Sequence, residues 1–342
     1  MSFIAIYGSG MVSFLIIQTA SIGDVILVTP VMETLHAAFP EARLDLLIKR
    51  GHEVLFEGHP FLNRVITWDK SSGKYLRLVR LTGMIRNSRY QHVVNVQRFG
   101  STGLITACSG ARFRSGFTKN PFSIFFNHRA EHIIATDGYP LHEVDRNLSL
   151  IAYLNIRSLR KPKLYPTPSD QEAVAGYKQV PYLCIAPASL WFTKQFPATQ
   201  WIGFLDKIPE NLTVYLIGSA SDKVLCAHIA GLTKHSSVIT LAGKLSFLQT
   251  AALMKDARMN FVNDSAPQHL ASAVDAPVST IFCSTVPSFG FGPLSRDSFV
   301  IETVEPLTCR PCGLHGHNEC PERHFKCAGT IQTEQLLERI PV

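Results

Sequence analysis

A carboxylate at the start of a helix is the first feature of this chain that suits chemistry. Residues 19–24 read Thr-Ala-Ser-Ile-Gly-Asp and join a buried apolar run to a helical pattern. Asp24 follows the turn at the carboxyl end of the predicted strand, where an aspartate can act as a general base. The same position suits helix capping, which contributes about 1 kcal/mol. The spacing alone leaves both interpretations open.

A second group at a strand end has the composition of a phosphate site. Residues 186–189 read Ala-Pro-Ala-Ser, and Lys194 follows shortly before a helix that is predicted to start near Pro197. Backbone amides, the hydroxyl of Ser189 and the ammonium of Lys194 together suit a diphosphate. An ordinary loop with a solvated lysine has the same sequence features.

A third polar group follows the short strand that is predicted at residues 260–262. Residues 263–269 read Asn-Asp-Ser-Ala-Pro-Gln-His, and a helix begins within them. The first amides of that helix would point at an anion, with His269 in the first turn. A capping aspartate or serine with a packed histidine is the alternative. Three such groups, divided between the two halves of the chain, argue for a site more strongly than any one of them.

Four cysteines lie within nineteen residues near the C-terminus, in the pattern Cys309-x2-Cys312-x7-Cys320-x6-Cys327. Their number matches a structural zinc site, although the second spacing is irregular for a zinc ribbon. Free thiols and disulfides are the alternatives. A zinc held by four thiolates would stabilise the fold and take no part in catalysis. The other four cysteines stand alone in apolar surroundings, as in reduced cytosolic proteins.

Short apolar runs alternate with helical patterns along the chain, which predicts an α/β protein with parallel sheets covered on both faces. The first strand is predicted at residues 14–18, and a single helix follows it to about Phe39, where Pro40 stops it. The other predicted strands are 44–48, 93–96, 182–186, 213–217, 260–262 and 278–282. The other predicted helices are 76–85, 143–154, 201–208, 223–232, 247–254, 268–274 and 333–339.

The composition changes between residues 157 and 181, which contain four prolines and little periodicity. We therefore predict a Rossmann-like domain at residues 11–160, a linker at 161–180, a second Rossmann-like domain at 181–328 and a C-terminal helix at 329–342. Ligands of doubly wound sheets bind beyond the carboxyl ends of the strands. The expected site is therefore a deep cleft between the two domains.

The overall composition indicates a globular protein with an anionic partner. Of the 342 residues 46% are hydrophobic and 17% charged, and the formal net charge is +7. An anionic membrane surface, a phosphorylated substrate and nucleic acid all fit this charge, but RNA-type aromatic motifs are missing. The chain has no uninterrupted apolar run of about 20 residues and no basic start of a secretory signal. Met11 is a candidate natural start, because residues 1–10 resemble no structured element.

The motifs together resemble the ADP-heptose:lipopolysaccharide heptosyltransferases, which form family 9 of the glycosyltransferases. The resemblance covers residues 14–340. The matching motifs are Ser-Ile-Gly-Asp at 21–24 with Pro30, Leu35 and Pro40, residues 93–97, residues 187–189 with Lys194 and Pro197, Gly218, Leu-Ala-Gly-Lys at 241–244, Asp-Ser-Ala-Pro-Gln-His at 264–269, Ala-Ser-Ala at 271–273, and residues 282–287 with Gly290. The family has the GT-B fold, two facing doubly wound domains, and inverts the anomeric carbon without a catalytic metal.

The resemblance implies roles for the candidate residues. In the N-terminal, acceptor-binding domain, Asp24 would be the general base that deprotonates the acceptor hydroxyl, and Ser21 would line the same pocket. In the C-terminal domain the nucleotide-sugar site would comprise Ser189, Lys194, Asp264, Ser265, Ala266, Pro267 and His269, with Asp264 also contacting the sugar. The chain departs from the family at Ala266-Pro267, where glycine is common, and at Leu248, where glutamate often lies near the ribose. Both departures bear on the identity of the donor.

We predict an inverting glycosyltransferase that moves heptose from ADP-heptose to the lipopolysaccharide inner core or a related anionic glycolipid. It would need no catalytic cofactor, bind no nucleic acid, and act in the cytoplasm as a peripheral protein at the inner-membrane surface. Basic residues of the first half would meet the anionic lipid, namely Arg77, Arg80, Arg86, Arg89, Arg112, Arg114 and Lys119. The alternatives are a nucleotide-sugar epimerase of the same architecture and a non-catalytic, zinc-containing basic binding protein.

Overall fold

The chain divides into two compact units. A computed structural model describes residues 11–71, 73–134 and 141–341, so the prediction about residues 1–10 lies outside this part. The first unit comprises Met1–Thr136 and Glu143–Lys163, and the second comprises Asp137–His142 and Leu164–Val342. The division at residues 163 and 164 falls inside the segment that the sequence suggests as a linker.

A parallel six-stranded sheet forms the centre of the first unit. Its strands are β1 (Ser13–Gln18), β2 (Arg43–Lys49), β3 (Arg64–Trp68), β4 (His92–Asn95), β5 (Phe113–Phe117) and β6 (His128–Ala130). Its helices are α1 (Ile22–Ile26), α2 (Thr29–Ala38), α3 (Lys74–Asn87), α4 (Gly100–Cys108) and α5 (Glu143–Ser149). The strand order is β3-β2-β1-β4-β5-β6, so the winding reverses between β1 and β4.

The second unit repeats this topology. Its strands are β7 (Tyr182–Ala186), β8 (Thr213–Leu216), β9 (Val238–Thr240), β10 (Met259–Asn263), β11 (Val278–Phe282) and β12 (Ser298–Glu302). Its helices are α6 (Pro168–Ala175), α7 (Ala198–Leu205), α8 (Lys223–Leu232), α9 (Phe247–Lys255), α10 (Ala266–Ala273), α11 (Lys326–Gly329) and α12 (Thr333–Leu337). The order β12-β11-β10-β7-β8-β9 places the reversal between β7 and β10. The predicted α/β class with two doubly wound sheets is confirmed.

The central strands are apolar on both faces because helices cover both sides of each sheet. Every residue of β1 is buried, and so is every residue of β7 and β10. In the second unit Trp201 and Phe204 of α7 pack in the same core as Phe261 of β10. The strands beside the two reversal points, β1 and β4 in the first unit and β7 and β10 in the second, are therefore buried along their whole length.

The helix predicted from the Ser-Ile-Gly turn to Phe39 is in fact two helices. α1 ends at Ile26 and α2 begins at Thr29, with Pro30 in its first turn. Proline has no N–H to donate and its ring hinders continuation of the preceding turn. The hydroxyl of Thr29 donates to the carbonyl of Ile26 at 2.7 Å and so satisfies one orphaned group at the break.

Two segments of the second unit differ in form from the prediction. Helix α6 lies inside residues 161–180 and begins at a capping box of Thr167 and Asp170. Within the predicted C-terminal segment at 329–342 the helix is α12, which is shorter than predicted, and both α12 and the preceding α11 contribute apolar side chains to the core of the second unit. Among the described residues, no helix has the length and apolarity that crossing a membrane requires.

Candidate functional site

Asp24 lies in a capping box at the carboxyl end of β1. The hydroxyl of Ser21 donates to Asp24 Oδ2 at 2.6 Å, and the Ser21 amide donates to the same oxygen at 3.2 Å. The Asp24 amide in turn donates to Ser21 Oγ at 3.4 Å. Ser21 is exposed and Asp24 half-buried. The structure thus brings together the two residues predicted for the acceptor side, and it shows that Asp24 fills its capping role.

A buried polar network underlies this turn. Gln97, just beyond β4, donates to Gln18 at the end of β1, and the hydroxyl of Thr19 donates to Gln97 Oε1 at 3.2 Å. The carboxamide oxygen of Gln18 also accepts from the amide of Ala20 at 3.2 Å. β1 and β4 are the neighbours at the reversal point of this sheet, so the network fixes the backbone from which Ser21 and Asp24 project.

Lys70 adds a cation to this edge of the sheet, and the sequence analysis missed it. Its ammonium donates to both the carbonyl and the hydroxyl oxygen of Thr19 at 2.9 Å, and it lies 4.9 Å from the centre of the Trp68 ring. Burial, and after it the nearby charge of Lys49, lowers the pKa of Lys70. The signal would have been a lysine two residues after the end of a strand, but β3 itself was not predicted.

In the second unit Lys194 and Asp264 form an ion pair. Lys194 Nζ lies 2.6 Å from Asp264 Oδ2, and the side chains are 15% and 7% exposed. The hydroxyl of Thr285 donates to the same carboxylate oxygen at 2.6 Å. Thr285 follows β11 and was not singled out from the sequence, although it lies within a matching motif. Two predicted site residues, 70 positions apart in the sequence, are therefore in direct contact.

Asn263 holds the two loops of this site together. Its Nδ2 donates to the carbonyl of Pro187 at 2.8 Å, and its Oδ1 accepts from the amide of Phe196 at 2.9 Å. The side chain is completely buried. Asn263 ends β10 and Pro187 follows β7, the strands on either side of the reversal point. The loop that carries Lys194 is thereby tied to the loop that carries Asp264.

Helix α10 begins directly after Asp264. Ser265 is its N-cap residue but makes no side-chain hydrogen bond to the first turn, and its hydroxyl instead donates to the carbonyl of Asn263 at 3.3 Å. Ala266 and Pro267 form the first turn, where proline has no N–H to leave unsatisfied. A helix start without a side-chain cap can accept an anion at its amides.

His269 is buried in the first turn of α10 beside the ion pair. Its Nδ1 has no hydrogen-bond partner among the described residues, and the residue is 6% exposed. Burial lowers the pKa of His269 to about 4, an effect that the Asp264 carboxylate opposes and Lys194 reinforces. The imidazole is therefore neutral near pH 7, with one buried ring nitrogen left to pair with a ligand.

Ser189 takes no part in this contact group. It is half-buried in the loop after β7, where its carbonyl accepts from Gln195 Nε2 at 2.7 Å. Among the described residues its hydroxyl makes no hydrogen bond to the ion pair. The structure thus brings together Lys194, Asp264 and His269, whereas Ser189 lies in the same loop as Lys194 without joining this group.

The four C-terminal cysteines lie near one another without forming a metal site. Burial, followed by the neighbouring thiols of Cys320 and Cys309, raises the pKa of Cys327 to about 11. Cys309 Sγ lies 3.9 Å from His324 Nε2. Within the described part of the chain, however, no three His, Cys, Asp or Glu side chains are arranged to hold a metal ion. The segment does not fit zinc in this conformation, and zinc stays a prediction.

Comparison with known proteins gives concordant matches. The family model "Glycosyltransferase family 9 (heptosyltransferase)" matches residues 78–319. The lipopolysaccharide heptosyltransferase 3 of Escherichia coli is 26% identical over 278 residues, which cover 77% of this chain and 81% of that protein. The residues matched by the family model include the turn of Lys194 and the start of α10.

Two solved structures have the same fold. The E. coli ADP-heptose lipopolysaccharide heptosyltransferase II is 20% identical with a TM-score of 0.77, covering 96% of this chain and 97% of that chain. The E. coli heptosyltransferase WaaC with ADP-2-deoxy-2-fluoro heptose is 19% identical with a TM-score of 0.69, covering 95% and 99%. These similarities confirm the predicted fold class.

Proposed function

The chain belongs to glycosyltransferase family 9, the heptosyltransferases, and on that premise we propose that it transfers heptose from ADP-heptose to an anionic glycolipid of the lipopolysaccharide inner core. That it is a glycosyltransferase follows from the family. The donor is proposed because one protein of similar fold is an ADP-heptose lipopolysaccharide heptosyltransferase and another was solved with ADP-2-deoxy-2-fluoro heptose. The acceptor is proposed because the E. coli relative is named a lipopolysaccharide heptosyltransferase.

The observation that carries the proposal is the group of Lys194, Asp264 and His269 at the reversal point of the second sheet. An ammonium, the uncapped start of α10 and a buried imidazole with a free ring nitrogen suit the diphosphate of a nucleotide sugar. In the proposed complex the phosphates form the ion pair with Lys194 in place of Asp264, and the Asp264 carboxylate instead accepts a hydrogen bond from a hydroxyl of the sugar. Ser189 adds a hydroxyl from the loop that also carries Lys194.

We assign the proton transfer to Asp24. Its carboxylate takes the proton of the acceptor hydroxyl while that oxygen forms a bond to the anomeric carbon of the sugar. The bond from this carbon to the diphosphate oxygen breaks, and its electron pair leaves with ADP. Ser21 orients the carboxylate through the 2.6 Å hydrogen bond. In this mechanism Lys194 and the amides of α10 supply the positive charge that stabilises the leaving group.

The donor assignment is tested by binding. Titration calorimetry with ADP-heptose, ADP, UDP, GDP and adenosine should give the tightest binding for the two adenine diphosphates. Lys194→Ala and His269→Ala should weaken ADP far more than adenosine, since both residues act on phosphate. Tighter binding of UDP or GDP than of ADP would overturn the donor assignment. Equal losses for ADP and adenosine would show that the two residues only support the fold.

We further propose that helix α3 contacts the inner-membrane surface, with the protein acting as a peripheral cytoplasmic enzyme. One face of α3 packs Leu78, Leu81 and Ile85 into the core of the first unit. The other exposes apolar side chains beside arginines: Tyr75 is 74% exposed, Leu76 58% and Val79 67%, with Arg80 and Arg86 also exposed. Apolar and basic side chains together suit an anionic lipid surface.

Vesicle cosedimentation tests this surface. Wild-type protein should bind vesicles of phosphatidylglycerol and phosphatidylethanolamine and bind weakly to phosphatidylcholine alone. The double change Leu76→Ser and Val79→Ser should lower the binding constant roughly tenfold, because two apolar side chains no longer enter the lipid. Val224→Ser is a matched control, since Val224 is 81% exposed on α8. Equal binding by all variants would remove α3 from the interface.

Zinc at the cysteines is a separate proposal, supported by four thiols within nineteen residues that influence one another's pKa. It requires the segment to rearrange, because the described side chains do not form a ligand set. Metal analysis of protein purified without chelator tests it. About one zinc ion per chain would support the site. Metal-free protein with four titratable thiols in this segment would refute it.

A further inference from the structure

The C-terminal cysteine segment, residues 309–327, is hydrogen-bonded to the loop that carries Lys194. The amide of Thr193 donates to the carbonyl of His317 at 3.1 Å, and the amide of His317 donates to Thr193 Oγ1 at 2.8 Å. Thr193 is 1% exposed. These reciprocal bonds fix the residue that immediately precedes Lys194.

Gly316 packs against the side chain of Lys194 itself. A Cβ at this position would lie 3.0 Å from Lys194 Cγ, 3.1 Å from Trp191 Cβ and 3.2 Å from Thr193 Oγ1. Real Cβ atoms seldom come so near, and the backbone of Gly316 has a φ of +82°. A glycine here lets the segment touch the aliphatic stem of the lysine, and any side chain would displace that stem.

The same segment also holds the end of β11, which leads to Thr285. Arg310 donates to the carbonyls of Cys283 at 2.7 Å and Thr285 at 2.8 Å. The amide of Cys312 donates to the carbonyl of Ser284 at 2.8 Å. The hydroxyl of Ser284 then donates to Thr193 Oγ1 at 3.1 Å, which joins the two loops under one segment.

We propose that the cysteine segment is the positioning element of the donor site, with Thr193 and Gly316 as positioning residues that act through Lys194. The inference rests on the proposed role of Lys194 in binding a nucleoside diphosphate. The segment contacts the loop of Lys194, and it also contacts Thr285, whose hydroxyl donates to Asp264. It therefore positions both partners of the ion pair. A lysine stem held in place loses less freedom when it binds phosphate, and this strengthens binding.

Replacements at Thr193 and Gly316 test the proposal by calorimetry with ADP and adenosine and by the KM for the sugar donor. Thr193→Val removes the hydroxyl that His317 and Ser284 both donate to, and it should raise the Kd for ADP and the donor KM about tenfold. The value of kcat and the Kd for adenosine should change little. Thr193→Ser keeps the hydroxyl and should restore ADP binding. Gly316→Ala should reproduce the loss.

Two further variants make the outcomes distinct. Gly110→Ala is the control for backbone strain, because Gly110 also has a positive φ of +72° but a Cβ there would meet nothing nearer than 3.8 Å. Lys194→Ala reports whether the lysine binds phosphate at all. If Lys194→Ala leaves ADP affinity unchanged, the proposed donor site and this inference both fail. If Lys194→Ala weakens ADP while Thr193→Val and Gly316→Ala do not, the positioning role alone is overturned.

Discussion

Removal of the Lys194 ammonium would leave a buried carboxylate with a single donor. Lys194→Met keeps the length of the stem, and Asp264 then retains only the hydroxyl of Thr285 among its described partners. Breaking a buried ion pair costs about 3–5 kcal/mol, and the 15% exposure of Lys194 places this case near the lower value. We therefore expect a loss of about 3 kcal/mol in the stability of the second unit.

Differential scanning calorimetry measures this loss. For a unit of this size the change corresponds to a fall in Tm of about 6–12 °C. The double variant Lys194→Met/Asp264→Asn no longer buries a charge, so it should recover most of the Tm. Both variants should still bind ADP poorly, because each lacks the ammonium. A double variant no more stable than Lys194→Met would refute the ion-pair reasoning, and wild-type ADP affinity in either would refute the phosphate role.

Three further outcomes are expected. Asp24→Asn should lower kcat by roughly 10²–10⁴-fold with ADP affinity retained, and near-normal turnover would remove Asp24 from the mechanism. Ser21→Ala and Ser246→Ala should each lower the stability by about 1 kcal/mol, because each removes the serine of a capping box. Only Ser21→Ala should also reduce the rate of transfer. Equal transfer rates in the two variants would contradict the orienting role of Ser21. Burial lowers the pKa of His92 to about 3. Between about pH 3 and 6.5 the unfolded chain therefore binds a proton at this residue that the folded chain does not, and the free energy of unfolding falls as the pH is lowered through 6.5. His92→Phe should therefore narrow the difference between urea midpoints at pH 7.5 and 5, and an unchanged difference would contradict this account.

The central strands could be predicted from the sequence and the edge strands could not. β1, β7 and β10 are buried along their whole length, and their apolar runs stand out from the flanking turns. Five strands of the described part of the chain were not predicted: β3, β6, β9 and β12 are the edges of the two sheets, and β5 lies next to the edge strand β6. Most positions of these edge strands are exposed or half-buried, so the strands lack a continuous apolar run.

The residues of the candidate site could be predicted where they follow a strand with a clear apolar run, and were missed where the strand itself was missed. Asp24, Lys194, Asp264 and His269 follow strands with a clear apolar signal, and so they could be found as polar residues at strand ends. Lys70 follows the edge strand β3 and was missed with it. The contact between Lys194 and Asp264 could not be predicted from spacing, because it depends on β7 and β10 lying side by side, which is a property of the strand order.

The attachment of the cysteine segment to the Lys194 loop could not be predicted from the sequence for a different reason. The attachment is made by backbone groups of His317 and by Gly316, whose effect is the absence of a side chain. Side-chain chemistry in the sequence pointed to the thiols, whereas the structural contacts to the donor loop come from the residues between them.

The proposed function is tested most directly by an assay of heptose transfer. Purified protein is incubated with ADP-heptose and a lipopolysaccharide acceptor from cells that lack core heptose, and the glycolipid is analysed by mass spectrometry and by NMR of the new anomeric centre. The expected product is heavier by a single heptose, has inverted anomeric configuration and forms with release of one ADP per transfer, and Asp24→Asn should give no product. An unchanged glycolipid while another nucleotide sugar or acceptor is consumed, or a product of retained configuration, would contradict the proposed function.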